Sequence, residues 1–339
     1  MLDSPSPDSP QPFSGRVAFL LNPAAGNGSA ARRRPAVEAA VRASGLDGEV
    51  FVSAGPDRVE PLARTLAQTF DAVVAVGGDG TIHDVANALA GTETRFGALP
   101  LGTGNDFARS IGMPSGLAAG VRALAAAHVR TLDVGVARWQ HAGPDGATVT
   151  AERVFANCLG AGFDAAAAAS ASRSKWIGGR SAYVAAVVRT LWAWRRPGVE
   201  VEVSIGDARR EAGGPVGLTP DEGRVVFRGP LFLCEIGNGQ AVGGGFRLTP
   251  DARLDDGLLD VCVAQYLAPR RALRILPTAF TGAHVHFPEV TVYRTARVTV
   301  RVTSGVLPVQ ADGEAASAGA RVLDAEAWPG ALHVLVPPP

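Results

Sequence analysis

The amino-acid sequence predicts two domains: an α/β N-terminal domain, with a parallel sheet and flanking helices, and a β-rich, sandwich-like C-terminal domain. Up to about residue 135, short apolar runs alternate with helical patterns, the order typical of βαβ units. Beyond that point, β-branched runs follow one another between Gly and Pro turns, as in antiparallel sheets. The chain has 339 residues, of which 47% are hydrophobic, so it can bury two such cores.

Strands and helices alternate in the first domain, which we place at residues 16–135. Apolar runs predict strands at residues 16–22, 48–53, 71–76 and 96–101. Runs of this kind are typical of parallel strands that are buried on both faces. Helical patterns follow the strands, and residues 59–70 predict an amphipathic helix with one apolar face.

β-Branched runs dominate residues 136–320, which we interpret as the second domain. Helical patterns at residues 177–196 and 269–281 interrupt them. We expect residues 321–339 to form a strand or tail that returns to the first domain. Residues 1–15 are rich in Pro, Ser and Asp, so we expect a disordered leader there.

The helical stretch at 177–196 carries apolar side chains along one stripe and ends in arginines. We expect the stripe to pack on the sheet of the second domain, because amphipathic helices usually cover a core. Contact with a bilayer and its anionic headgroups is the alternative. The apolar residues are Tyr183, Val184, Val187, Val188, Leu191 and Trp192.

Composition argues against several classes of protein. The formal net charge is zero, unlike that of nucleic-acid binders that rely on a basic surface. The three cysteines are widely spaced in apolar stretches, so we expect buried thiols and neither disulfides nor a zinc site. The N-terminal stretch lacks the apolar segment of a signal peptide, so we expect none, and no apolar run of about 18 residues predicts a membrane span. We therefore expect a cytoplasmic protein whose contact with the inner face of a membrane is peripheral.

Three Gly-rich loops each follow a predicted strand and precede a helix. They are NPAAGNG (22–28), GGDGT (77–81) and LGTGND (101–106). In an open α/β sheet, ligands bind at the carboxyl ends of the strands, where helix N-termini offer free N–H groups to phosphate. A single loop of this kind is more often a plain turn, but three at one edge predict a nucleoside triphosphate site. The P-loop pattern GxxxxGK(S/T) is absent, as is GxGxxG after the first strand.

The order of these motifs resembles a known family. NPAAG, GGDGTIHDVANAL and PLGTGNDFAR resemble the diacylglycerol kinase catalytic domain, which bacterial diacylglycerol kinases and YegS-type lipid kinases share with sphingosine and ceramide kinases. GGDGT alone also fits NAD kinases and phosphofructokinases, so the resemblance implies a similar fold for the first domain. In the second half, GNGQAVGGGFRLTPDARLDDGLLDV (237–261) and ADGE (311–314) are similar to the family's C-terminal motifs.

The resemblance implies a set of nucleotide-binding residues in the first domain. Asp79 would lie near the metal–phosphate end of the nucleotide, and Ser53 stands where the family often has threonine. His83 would contact the nucleotide or serve as a surface or capping residue. The full set is Asn22, Pro23, Gly26, Ser53, Gly77, Gly78, Asp79, Gly80, Thr81, His83, Thr103, Gly104, Asn105 and Asp106.

The resemblance also implies catalytic and metal-binding residues. Glu314 matches the family's general base, with Asp312 beside it, and Asp79 is the rival for that role. The DDG segment resembles a structural Mg²⁺ site of the bacterial members, in which Asp256 would supply the carboxylate and carbonyl groups near Arg253 and Leu258 would complete the set. Hard oxygen ligands suit Mg²⁺. A type I′ hairpin turn at DDG is the alternative, and both can hold at once.

The activity implied by the resemblance is transfer of the γ-phosphoryl group of ATP, with Mg²⁺, to a lipid hydroxyl. Diacylglycerol or a related lipid alcohol is the expected acceptor, met at the membrane surface, and a homodimer is an open option. The alternatives are a small-molecule kinase of the NAD kinase type and a non-catalytic nucleotide-binding regulator.

Overall fold

The computed structural model describes residues 12–26, 28–102, 104–143, 145–172, 180–194, 199–206 and 223–338. Residues 1–11 of the expected leader lie outside this part. The chain divides into two compact units, the first formed by residues up to Leu132 together with the segment from Leu332 onward, and the second by Asp133–Ala331. The boundary between the two predicted domains, which we place at residue 135, stays a prediction.

The first unit is built on parallel strands, as the apolar runs predict. In its described part the order across the sheet is β4-β3-β1-β2, and residues 332–336 lie parallel to β4. Every residue of β1 and β3 is buried. The strands are β1 Val17–Leu21, β2 Gly48–Val52, β3 Ala72–Gly77 and β4 Arg95–Pro100; the helices are α1 Ser29–Ser44, α2 Val59–Leu66, α3 Asp79–Leu89, α4 Asp106–Ser110 and α5 Leu117–Ala125.

One helix of the first unit is shorter than its sequence pattern. The amphipathic pattern runs to Phe70, but α2 ends at Leu66 and a turn follows. Phe70 is nevertheless buried, and its ring packs edge-on against Phe51. Phe70 lies beyond the helix, but its spacing from Leu66 is that of a helix. The sequence pattern therefore overestimates the length of α2.

The second unit is antiparallel and β-rich. In its described part, β9, β7, β13, β14, β12 and β8 pair one after another, and β8 pairs back with β9. This closed ring is sandwich-like because the long strands β9 and β14 each pair with different partners along their lengths. The strands are β5 His128–Ala142, β6 Thr148–Phe155, β7 Cys158–Gly162, β8 Val199–Gly206, β9 Arg224–Gly237, β10 Leu259–Gln265, β11 Val290–Thr295, β12 Arg297–Gly305, β13 Leu307–Ala311 and β14 Glu314–Val336. The α/β and sandwich-like fold classes are confirmed.

Three helices cover the face of β7, β9 and β10 outside the ring. They are α6 Phe163–Ser172, α7 Arg180–Ala193 and α8 Pro269–Ile275. Side chains such as Phe163, Leu191 and Ile275 share one apolar cluster with residues of β9 and β10. The sequence missed α6, because its run of alanines has no amphipathic period. The pattern at 269–281 becomes a 3-10 helix after Ile275.

The predicted single stripe on α7 is wrong for the residues that can be placed. Val187 and Leu191 are buried in the apolar cluster, whereas Val188 and Trp192 are exposed. Residues one apart lie about 100° apart on a helix, so these pairs occupy different faces. The side chains of Tyr183 and Val184, and residues 177–179 and 195–196, lie outside the described part.

The prediction that the cysteine thiols are buried is confirmed. Cys158, Cys234 and Cys262 are free and buried. Burial raises the pKa of all three thiols, which keeps them protonated and unreactive. Among the helices that can be described, none combines the length and the apolar character needed to cross a bilayer.

Candidate active site

The first and second Gly-rich loops are joined by a buried asparagine. Asn22, at the end of β1, donates from Nδ2 to Oγ1 of Thr81, over 3.1 Å. Its Oδ1 accepts from the N–H of Ala24, over 3.0 Å, which shapes its own loop. One side chain therefore fixes the NPAAG loop to the GGDGT loop.

The second and third loops are joined by Asp79. Its Oδ2 accepts from the N–H of Asn105 over 2.8 Å, and its Oδ1 accepts from the N–H of Asp106 over 2.9 Å. These N–H groups open α4, where a negative charge is favourable. Asp79 therefore uses both carboxyl oxygens to hold the GTGND segment against GGDGT.

Glycines let the second and third loops approach each other. A Cβ at Gly102 would lie 2.6 Å from the Cα of Gly78, and a Cβ at Gly104 would overlap the Asp79 carboxylate. Asn105 adopts the left-handed conformation, with φ at 56°, and its side chain bonds both backbone groups of Gly102. The loops are thus packed backbone to backbone, which only glycine at these positions permits.

The remaining nucleotide-site candidates lie in different surroundings. Pro23 and Gly26 lie in the first loop, Gly77 ends β3, and Gly80 lies in the first turn of α3. Ser53 follows β2 and is buried, and its Oγ has no hydrogen-bond partner among the described residues. His83 is buried in α3 beside Asn87, so the expectation that it lies at the surface is wrong. Thr103 lies outside the described residues.

ADGE forms a tight hairpin between β13 and β14 in the second unit. Ala311 pairs with Glu314, and the two residues between them have positive φ, 48° for Asp312 and 88° for Gly313. These are the φ values of a type I′ turn, for which Asp-Gly is a preferred sequence. We call Ala311–Glu314 the ADGE turn. The type I′ turn that the sequence suggested at DDG is absent, because only Gly257 has positive φ there.

The Asp312 carboxylate anchors the ADGE turn to the break between β6 and β7. It accepts from the backbone N–H groups of Ala156, Asn157 and Cys158 over 2.8 to 2.9 Å. Glu314, two residues later, is exposed. The turn therefore has one carboxylate bound to the backbone and one that faces solvent.

The DDG segment is held by a buried acid that the sequence analysis missed. Asp133 accepts from the N–H of Gly257 over 2.6 Å and from the N–H of Gly330 over 2.8 Å. The Asp256 carboxylate accepts from the N–H of Leu258, and an oxygen of it lies 3.4 Å from Nη2 of Arg294. Asp133 had a visible signal, since it is a lone acid in the apolar run TLDVGV.

Arg253, which the sequence also placed near the metal, directs its side chain to a different acid, Asp255. Its Nε lies 3.7 Å from the Asp255 carboxylate. No group of three or more His, Cys, Asp or Glu side chains with metal-site geometry occurs among the described residues. A site here would therefore depend on one carboxylate and on backbone carbonyl groups.

Comparison with known proteins decides the family. Residues 16–137 match the diacylglycerol kinase catalytic domain, and residues 157–336 match the YegS C-terminal NAD kinase beta sandwich-like domain. The chain is 32% identical to the diacylglycerol kinase of Mycobacterium tuberculosis (strain CDC 1551 / Oshkosh), over 95% of this chain and 96% of that protein. This chain belongs to the diacylglycerol kinase family.

Other members of the family agree with this assignment. The chain is 32% identical to a Pseudomonas aeruginosa (strain UCBPP-PA14) protein named "Probable lipid kinase YegS-like", over 91% of this chain and 88% of that protein. The crystal structure of a diacylglycerol kinase from Bacillus anthracis str. Sterne superposes with a TM-score of 0.65 at 18% identity, covering 95% of this chain and 97% of that one. The structural match supports the fold, and the sequence matches show a kinase of the lipid kinase family.

Proposed function

We propose that this kinase transfers the γ-phosphoryl group of ATP to the hydroxyl of diacylglycerol or a related lipid alcohol. Family membership supports the lipid kinase class. The observation that carries the nucleotide part is the mutual bracing of the three Gly-rich loops by Asn22 and Asp79. Loops fixed in this way present backbone N–H groups without reorganisation when phosphate binds.

The residues of the first unit fit a nucleoside triphosphate. Glycines at 78, 102 and 104 remove the side chains that would keep phosphate oxygens away from the backbone. Ser53 has a buried hydroxyl that lacks a partner among the described residues, so it can bond a nucleotide without breaking an existing contact. We assign ATP to this edge of the sheet.

Asp79 and Glu314 take different roles in this proposal. Because both oxygens of Asp79 accept backbone N–H groups, we assign it the organisation of the phosphate loops. Glu314 is exposed at the end of the ADGE turn, and we assign it the proton of the attacking hydroxyl. Asp312 holds the turn, in place of the direct catalytic role that the sequence suggested.

The DDG segment offers oxygen donors that fit Mg²⁺. Asp256 would supply a carboxylate, and the carbonyl groups of Arg253 and Leu258 would complete the set. Asp133 fixes the backbone of this segment through Gly257, which would keep those carbonyl groups in place. In phosphoryl transfer, Mg²⁺ neutralises charge on the phosphate groups or stabilises the structure that binds them.

The test is to incubate the protein with labelled ATP, Mg²⁺ and a panel of diacylglycerol, sphingosine and undecaprenol in mixed micelles, and to identify the product. We expect a phosphorylated lipid. Glu314→Gln should lower kcat by about 100-fold or more, because general-base catalysis contributes about that much, with ATP affinity retained. Asp79→Asn should weaken ATP binding as well as turnover. Glu200→Gln, an exposed acid on β8, is the matched control.

The same experiment separates the alternatives. Phosphorylation of NAD in a parallel reaction, with no lipid product, would indicate a small-molecule kinase. ATP binding without turnover on any acceptor would indicate a nucleotide-binding regulator. Wild-type turnover by Glu314→Gln would overturn the assignment of the base.

A further inference from the structure

A row of polar residues crosses the sheet of the second unit beneath the ADGE turn. Gln310 on β13 is paired with Gly160 on β7, and Gly160 is paired with Glu235 on β9. Residues paired in this way place their side chains on the same face of a sheet. Gln310 and Glu235 are each 1% exposed, so the row lies in the interior.

The glycine in the middle of this row makes room for a third polar group. A Cβ at Gly160 would overlap the carboxyl of Asp164 and lie 2.5 Å from Nε2 of Gln310. Asp164 comes from the first turn of α6, and its carboxyl occupies the space that any other residue at 160 would fill. The Asp164 carboxyl is thereby inserted between the side chains of Gln310 and Glu235.

The amide of Gln310 connects this buried acid to the ADGE turn. Nε2 donates to Oδ2 of Asp164 over 3.2 Å, and Oε1 accepts from the N–H of Gly313 over 2.6 Å. Because Nε2 is directed at a carboxyl, Oε1 must face the turn. The acid on one side therefore fixes the orientation of the amide, and the amide oxygen on the other side accepts a hydrogen bond from the turn.

Asp164 and Glu235 behave as a pair. Both oxygens of Glu235 are buried, and they interact with the Asp164 carboxyl and the Cys158 thiol. Burial raises the pKa of Glu235 well above its usual value, and the neighbouring Asp164 raises it further. Burial also raises the pKa of Asp164. A proton held between the two carboxyls would satisfy an oxygen of each. Other titratable groups that face Glu235 are Cys158, Cys262 and Asp312.

We propose that Gln310 is a positioning residue for Glu314, and that the buried carboxyl of Asp164, beside Glu235, fixes the orientation of its amide. The proposal rests on the proposed function in that Glu314 is taken to contact the substrate hydroxyl. Gln310 itself contacts no substrate and acts through the backbone of Gly313.

The decisive variants are Gln310→Leu and Gln310→Glu. Leucine removes both hydrogen bonds at similar volume, and kcat should fall about 10- to 100-fold, as expected when a catalytic group is misplaced by about 1 Å. The KM for ATP should stay unchanged, since the phosphate loops belong to the other unit. Glutamate restores both bonds only when it is protonated, so the ratio of its kcat to that of wild type should rise as the pH falls. Gln265→Leu, an exposed position on β10, is the matched control.

A second readout does not depend on activity. Gly313 is exposed, and its N–H is bonded to Gln310, so its hydrogen exchange by NMR reports the turn directly. Hydrogen exchange at the Gly313 N–H should be about 10-fold faster in Gln310→Leu, because the N–H loses its hydrogen bond to Gln310. If the wild-type protein phosphorylates no lipid but this acceleration is seen, the proposed function fails while the link between Gln310 and the turn stands.

Three results would overturn the proposal. The first is wild-type kcat together with unchanged Gly313 exchange in Gln310→Leu. The second is a loss of ATP affinity that matches the loss of kcat, which would indicate general misfolding. The third is a Gln310→Glu to wild-type ratio that does not change with pH.

Discussion

Gly160 leaves the space that the Asp164 carboxyl fills, just as Gly104 leaves space for the carboxyl of Asp79. At both positions the absence of a side chain brings a carboxyl against groups that it would otherwise not reach. In the first unit the carboxyl meets backbone N–H groups at the start of a helix. In the second it meets an amide and another acid, where burial favours the protonated form.

At the scale of single residues, the pair of Asp164 and Glu235 predicts how stability changes with pH. The raised pKa of Glu235 means that the native state retains a proton which the unfolded chain releases near its ordinary pKa. The contribution of Glu235 to the free energy of unfolding should therefore be largest at low pH. It should fall as the pH rises from the pKa of the unfolded chain to that of Glu235 in the folded protein. The slope is at most about 1.4 kcal/mol per pH unit for one proton.

Glu235→Gln should flatten this slope, because an amide cannot titrate and can still donate to Asp164. Urea unfolding at several pH values measures it. Glu200→Gln, at an exposed site, should retain the wild-type dependence. An unchanged slope in Glu235→Gln would show that the pair does not hold the extra proton.

Among the elements, the β13–β14 hairpin shows how one residue serves two purposes. Asp312 tolerates the left-handed conformation that the type I′ turn requires, and its carboxylate receives three N–H groups at the break between β6 and β7. The turn type fixes the register of the hairpin, so Ala311 pairs with Glu314.

Asp312→Ala should lower the free energy of unfolding by about 3 kcal/mol, because it leaves the backbone N–H groups without an acceptor and places alanine at positive φ. Asp312→Asn should cost less, since asparagine tolerates this conformation and keeps one acceptor oxygen. Chemical denaturation measures both. Asp251→Ala, at an exposed acid, should change stability by less than about 0.5 kcal/mol. Equal values for the alanine variants at 312 and 251 would contradict the anchoring role.

For the whole molecule, the proposed lipid acceptor implies a surface that meets a membrane. On α7, Val188 and Trp192 are exposed one turn apart, on a helix that also carries Arg189. Exposed aromatic side chains beside arginine suit the interface of an anionic bilayer. We propose peripheral contact through this face of α7.

Trp192→Ala should weaken binding to phosphatidylglycerol vesicles by about 5- to 10-fold, because about half of a large apolar side chain loses its burial in the membrane. Vesicle sedimentation measures the binding. Turnover of a short-chain, soluble diacylglycerol should be unchanged. Val306→Ala, an exposed apolar site between β12 and β13, is the control. An equal loss in both variants would place the contact elsewhere.

Local sequence determined the parallel and antiparallel halves and the positions of the three Gly-rich loops, and the motifs in those loops gave the family resemblance that supplied most candidate residues. Each depends on periodicity, on Gly spacing or on a short motif, and these are properties of neighbours in the chain. The same reasoning overestimated α2, missed the alanine-rich α6 and offered a type I′ turn as an alternative at DDG, whereas the structure has that turn at ADGE. In each case a local pattern fitted two structures equally well.

Only the tertiary structure decided what each acid does. Asp79, Asp312, Asp133 and Asp164 look alike in sequence, yet the first three accept backbone N–H groups and the last lies beside Glu235. Those partners are separated by up to 197 positions along the chain. The solvation and charge of a carboxyl depend on groups brought near by packing, so the role of each acid follows from the fold rather than from the motif around it.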